Sequence, residues 1–198
     1  FFLCDHHLSY MNDGKTNTTD NLLLEVCLAA LHEGVLISAD HGKHQLTNEG
    51  SQLCTVLARS FADIGDIVRG KDLFIGYDKK DRNEKKQLQQ NLKNIFKEIH
   101  NGLDTEAQER YKDEDDNEEN YYKLREDWWY ANRATVWKAI TCGTHGGDTY
   151  FRATCDSSNR QGPSQANKYC RCNGDKPGED KANIDPPTYF DYVPQFLR

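Results

Sequence analysis

No proline occurs before Pro163, and all five prolines fall in the last 36 residues. A backbone without proline over that length permits long helices, because nothing removes an amide donor or clashes with the preceding turn. Uninterrupted apolar runs are only a few residues long, so no stretch is expected to span a bilayer. The opening residues FFLCDHHLSY lack the basic start and the sustained apolar centre of an export leader. Also missing are the Walker-type phosphate loop, G-x-G-x-x-G and the G-x-S-x-G elbow, which removes the simplest routes to nucleotide and serine-hydrolase chemistry.

Cysteine, by contrast, is abundant for an intracellular chain of 198 residues. Cys4, Cys27, Cys54, Cys142, Cys155, Cys170 and Cys172 point to an oxidising compartment and to disulfides of unassigned pairing. An odd count leaves one thiol without an internal partner. The chain therefore reads as part of a longer protein, with the missing partner beyond it. A free thiol or an intermolecular bridge is the alternative.

All three tryptophans, Trp128, Trp129 and Trp137, lie in LREDWWYANRATVWKAITC, residues 124–142. Tyr121, Leu124, Trp128, Ala131, Val136 and Ile140 approximate a helical stripe, so this segment is expected to be the scaffold core. Residues 20–33 predict a first helix ended by Gly34, followed by a polar irregular stretch over 35–48. A second helix is expected over 50–69. The Asp81-x-x-Glu84 capping box predicts a third. Its Leu88, Leu92, Ile95, Ile99 and Leu103 follow a 4-3-4-4 rhythm up to Gly102. After Cys142 the glycine-, proline- and asparagine-rich sequence predicts a loop-rich cap held by cysteines. The composition thus predicts a mostly α, disulfide-linked domain with long irregular loops.

Charge is unevenly spread. The net −7 is matched by residues 104–127 alone, with eleven Asp/Glu against four Lys/Arg. Residues 69–97 instead carry nine Lys/Arg against four Asp/Glu. Arg82, Lys86, Lys93 and Lys97 form one stripe beside the apolar stripe of the third helix, a candidate contact for a polyanion such as a sulfated glycan. An ordinary solvated helix face is the simpler use, since Glu84 and Glu98 dilute the field. Nucleic acid fits poorly, because the chain is acidic and its aromatics are not interleaved with the basic residues.

Zinc is the rival use of the sulfurs. Cys142, His145, Cys155, Cys170 and Cys172 supply enough donors, but Cys-x-Cys is too tight for the common knuckle, so disulfides are favoured. Neighbours one residue apart bridge only with strain, and Cys170 and Cys172 are each expected to pair elsewhere. His6, His7, His41 and His44 are expected at the surface. No cysteine sits in a recognisable nucleophile turn, so no catalytic residue and no cofactor is expected. Asn17-Thr18-Thr19 fits the glycosylation pattern of an exposed loop.

Three blocks have a familiar order: ARSFADIGDIVRGKDLF (58–74), LREDWWYANRATVWKAITC (124–142) and FDYVPQFLR (190–198). Together with DNLLLEVCLAALHEG (20–34) they resemble the Duffy-binding-like adhesion domain, in the alpha class of the malaria parasite's variant erythrocyte membrane protein 1. The resemblance implies a helical, disulfide-linked fold of three subdomains. Residues 1–60 would be part of the first, and 61–198 the second running into the start of the third. It implies display on the infected erythrocyte membrane, antigenic variation and exposure to antibodies. It also implies binding to host erythrocyte or endothelial receptors, heparan-sulfate-like glycans among them. Recognition would then reside in variable loops, with a scaffold and immune-decoy role as the alternative.

Overall fold

The computed structural model describes residues 19–47, 52–112, 119–144, 152–155 and 162–198. Cys4, the Asn17 sequon, His6, His7, His145 and most of the acidic run lie outside the described residues. Among the described residues five helices dominate: α1 (Thr19–Gln45), α2 (Leu53–Arg69), α3 (Lys79–Asn101), α4 (Thr105–Arg110) and α5 (Tyr122–Ile140). Two 3-10 turns, Phe190–Tyr192 and Gln195–Leu197, close the chain. Apart from isolated bridges such as Cys155 with Ser164, no strand occurs among the described residues.

Helix α1 corrects the expected stop at Gly34. It runs on through the stretch expected to be irregular, and His41 is buried on it rather than exposed in a loop. Gly34 serves close approach instead. A Cβ there would stand 1.8 Å from the carbonyl oxygen of Ile140, so only glycine lets the end of α5 rest on α1. Leu22, Val26, Ala29, Ala30 and Ile37 face the core, while Leu24, Leu28, Val35 and Leu36 are exposed. Thr19–Lys43 is long and apolar enough to cross a membrane by length and composition alone, which scanning for unbroken apolar runs did not anticipate. Helices that bury one face in a protein core share that length and composition, and this one buries such a face.

Helices α2, α3 and α5 form where their patterns predict, with shifted ends, whereas the short α4 was not expected. Helix α2 stops at Gly70, whose positive φ of 74° makes a left-handed cap. Helix α3 is capped three residues earlier than the expected box: the Asp78 carboxylate accepts from the Asp81 amide at 2.9 Å. Leu88, Leu92, Ile95, Phe96 and Ile99 form its buried side.

Helix α5 packs against α1 and α2, and more lightly against α3. Trp128, Trp129 and Trp137 are buried along it. The Phe61 ring of α2 lies 5.2 Å from Trp129 and 5.1 Å from Trp137, the latter edge-on. Such pairs add about 0.5–1.5 kcal/mol each beyond the area they bury. Gly65 makes room for this packing, since a Cβ there would sit 2.7 Å from the Trp129 indole. The buried face of α5 differs from the expected stripe at Tyr121, which is half-buried at the N-cap just before the helix, and at Ala131. Ala131 is exposed, and Arg125 and Arg133 take its place inside.

Two disulfides fasten the cap. Cys54 pairs with Cys170 across 116 residues, and Cys155 with Cys172 across 17. Cys170 and Cys172 thus each pair elsewhere. The Trp137 indole donates to the Cys170 carbonyl at 2.9 Å. Arg171 is fully buried between them, donating to Thr141 Oγ1 at 2.9 Å, to the Lys138 carbonyl at 2.7 Å and to Asp175 at 3.2 Å.

Candidate functional site

Two polar constructions stand out, one buried and one exposed. In the buried one, the three blocks that carry the family resemblance meet. Arg133 grips Asp191 with two bonds, Nε to Oδ2 at 2.7 Å and an Nη to Oδ1 at 2.8 Å. Asp191 Oδ2 also accepts from the Trp129 indole at 2.9 Å. Arg69 reaches the Asp191 carbonyl and pairs with Asp66 at 2.9 Å. Arg198 closes the circuit by pairing with Asp66 and, at 2.8 Å, with Asp63.

Both partners of the central pair are almost completely enclosed. Burial pulls the Arg133 pKa down, but the hydrogen bonds and charge of Asp191 more than offset it, leaving it above its ordinary value. Burial pushes the Asp63 and Asp66 carboxyls up against the pull of Arg198. Every charge in this network has a partner, so the network can position helices. It fixes the C-terminal turns onto α2 and α5.

The exposed construction is a cleft of about 330 Å³ on α3. Arg82, Lys86 and Lys93 line it, together with Phe74, Ile75 and Asn120. Three of the four cations singled out in the sequence therefore converge on one concavity. Lys97 does not line it, and instead pairs with Glu119 at 3.7 Å. The sequence reading missed Lys85, Gln89 and Gln90, which complete the wall, and the apolar loop opposite. The run Leu73-Phe74-Ile75 immediately before the α3 cap was the available signal, since apolar residues leading into a polar helix face require a use.

Lys85 is committed locally. It pairs with Asp72 and lies 4.5 Å above the Phe74 ring. Gln89 is likewise committed, donating to the Ile67 carbonyl at 3.2 Å and accepting from Arg125 at 3.1 Å. Arg82 and Lys86 are exposed at the rim, and Lys93 is half-buried deeper in the wall. The arrangement can attract and orient an anion.

The zinc alternative loses its donors. Cys155, Cys170 and Cys172 are held in disulfides and cannot serve as thiolate ligands. Of the two remaining thiols described, Cys142 is exposed and Cys27 is half-buried, with its pKa pushed up to about 11 by burial.

The molecule is a helical scaffold fastened by disulfides, with a cationic cleft presented on α3. The comparisons give its family. The Duffy binding domain model matches residues 2–198, and the chain belongs to that family. It is similar, at 39% identity and a TM-score of 0.72, to the NTS-DBL1(alpha-1) domain of the Plasmodium falciparum membrane protein PfEMP1 from the varO strain. That match covers 98% of this chain and 39% of the other. The double-domain structure from the same strain, which adds CIDR-gamma, matches at 38% identity and a TM-score of 0.73, covering 98% of this chain and 25% of that one. An ICAM-1-binding PfEMP1 DBLbeta domain matches at 28% identity and a TM-score of 0.61, over 99% of this chain and 39% of its own. The chain is thus an alpha-class domain segment of the PfEMP1 type, spanning about two fifths of the length of the first of these structures. No curated protein matches it.

Proposed function

We propose that this chain is part of an adhesion module that binds host surface receptors, working by surface complementarity without chemistry or cofactor. The observation that carries the reading is the convergence of Arg82, Lys86 and Lys93 on one cleft of a scaffold stiffened by disulfides. Clefts lined by one sign of charge focus the field and raise the encounter rate with an oppositely charged partner. Heparan-sulfate-like glycans on erythrocytes or endothelium fit that requirement, and Lys97 extends the same stripe beyond the cleft. The ICAM-1-binding DBLbeta relative supports receptor binding as the general activity. The infected erythrocyte surface is the corresponding location, with the exposed loops open to antibodies and to antigenic variation. Residues 1–60 belong to a first, partial subdomain, and residues 61–198 to a second that runs into the start of a third.

Heparin-affinity chromatography tests the surface. Reversing Arg82, Lys86 and Lys93 to Glu should move elution to clearly lower salt, because screened attraction between exposed charges is what salt competes with. Unchanged elution would remove these residues from the contact. A second reading, scaffold and immune decoy with the receptor contact elsewhere, is favoured by one observation: relatives are far longer than this chain. Receptor binding by a full-length domain, with and without the charge reversal, separates the two.

A further inference from the structure

Beside the cationic wall stands a surface that a polyanion alone does not require. The α2–α3 loop presents Leu73, Ile75 and Tyr77 at 62%, 72% and 70% exposure, well beyond incidental apolar contact with water. The loop is nevertheless built. The Leu73 amide donates to the Gln195 side chain at 2.6 Å, and Gln195 in turn donates to Asp72 at 3.0 Å. Phe74 and Tyr77 stack edge-on with centroids 4.7 Å apart. These ties hold the apolar side chains outward, directly before the capped first turn of α3.

The chemistry of the shelf narrows what could occupy it. Carbohydrate rings stack on open aromatic faces, but one face of Phe74 already carries the Lys85 ammonium and its edge region is engaged with Tyr77. What is left to receive a partner is Leu73, Ile75 and the exposed part of Tyr77, with Ile75 the most exposed and also a wall of the cleft. The cleft itself, at about 330 Å³, has room for a few side chains. Across it, Arg82 and Lys86 stand at the rim, so an apolar occupant would have cations within reach on one side.

We propose that cleft and shelf together receive a protein segment placing acidic side chains beside one or two apolar ones, the acids facing Arg82, Lys86 and Lys93 and the apolar groups covering Ile75 and Tyr77. This deepens the reading of α3 as the binding face and rests on it. Charge selects the partner and sets its orientation, and the shelf supplies the water exclusion that strengthens those ion pairs.

The experiment uses the 198-residue chain and three fluorescent probes. One is a short peptide combining Glu and Asp with Phe and Leu; the second has the apolar residues replaced by Ser; the third is a heparin fragment. The variants are Ile75→Ser with Tyr77→Ser, and Arg82→Glu with Lys86→Glu, each checked by circular dichroism and thiol count. All four side chains are exposed, so the fold should persist. The apolar-acidic peptide should bind the unaltered chain and weaken about tenfold in each variant. Heparin should weaken in the charge variant alone. Equal peptide binding by the shelf variant overturns the inference, as does equal binding of the Ser-replaced peptide. So does a loss of heparin on the shelf variant, which would assign the shelf to glycans. If the charge variant instead retains both heparin and peptide, it is the reading of α3 that fails.

Discussion

Asp191→Asn is the sharpest probe of the scaffold. The substitution keeps the shape of the side chain, removes its charge and turns one acceptor toward Arg133 into a donor. Arg133 is then a guanidinium enclosed on all sides without a counter-charge, and the Trp129 indole shares a single remaining acceptor. Removing one partner of a buried pair costs about 3–5 kcal/mol. For a chain of this size each kcal/mol lowers the melting temperature by about 2–4 °C, so a fall of roughly 6–20 °C is expected. Urea and thermal melts followed by tryptophan fluorescence, with disulfides intact, measure it directly. The double variant Asp191→Leu with Arg133→Met should recover only part of the loss, because it removes both charges together but takes away the acceptor of the Trp129 indole and the donor to the Thr188 carbonyl. A cost below about 1 kcal/mol for Asp191→Asn would put the pair in the range of solvent-screened surface bridges and refute the reasoning.

Gly34→Ala should destabilise the fold by at least the upper part of about 1–3 kcal/mol, since its Cβ meets the Ile140 carbonyl; a neutral melt would mean that α1 and α5 are further apart. Replacing Cys54 and Cys170 by Ala should cost about 5 kcal/mol, and replacing Cys155 and Cys172 about 3, because the first bridge closes the longer loop. Equal losses in denaturant melts would contradict that ordering. Iodoacetamide should label exposed Cys142 well before Cys27. With its pKa at about 11, Cys27 is roughly one part in a thousand thiolate at pH 8, so its rate should rise about tenfold per pH unit toward that value. A pH-independent rate, read by peptide mass, would count against it.

The helices were legible wherever the local period was decisive. The 4-3-4-4 rhythm of α3 and the tryptophan segment both declared themselves, and the cationic stripe followed from the same helical wheel. Where the reading went astray, a tertiary contact had overridden a local rule. Gly34 looks like a stop, but the backbone of Ile140 is what demands a glycine there. Arg133 and Arg125 look like solvated positions, yet their partners sit 58 residues ahead at Asp191 and 57 behind at Val68. No window along the chain can register such pairings. The shelf beside the cleft was hidden for a related reason. It belongs to a loop whose outward display depends on Gln195, 122 residues away from Leu73.

The bond between Cys54 and Cys170 also makes the stretch between them a closed ring, and Arg82, Lys86 and Lys93 all lie inside it. Tension applied between the two ends of the chain would travel through the sulfur atoms and bypass that ring. A ligand seated on α3 would remain on an unstretched platform while the segments outside the bridge lengthened under load.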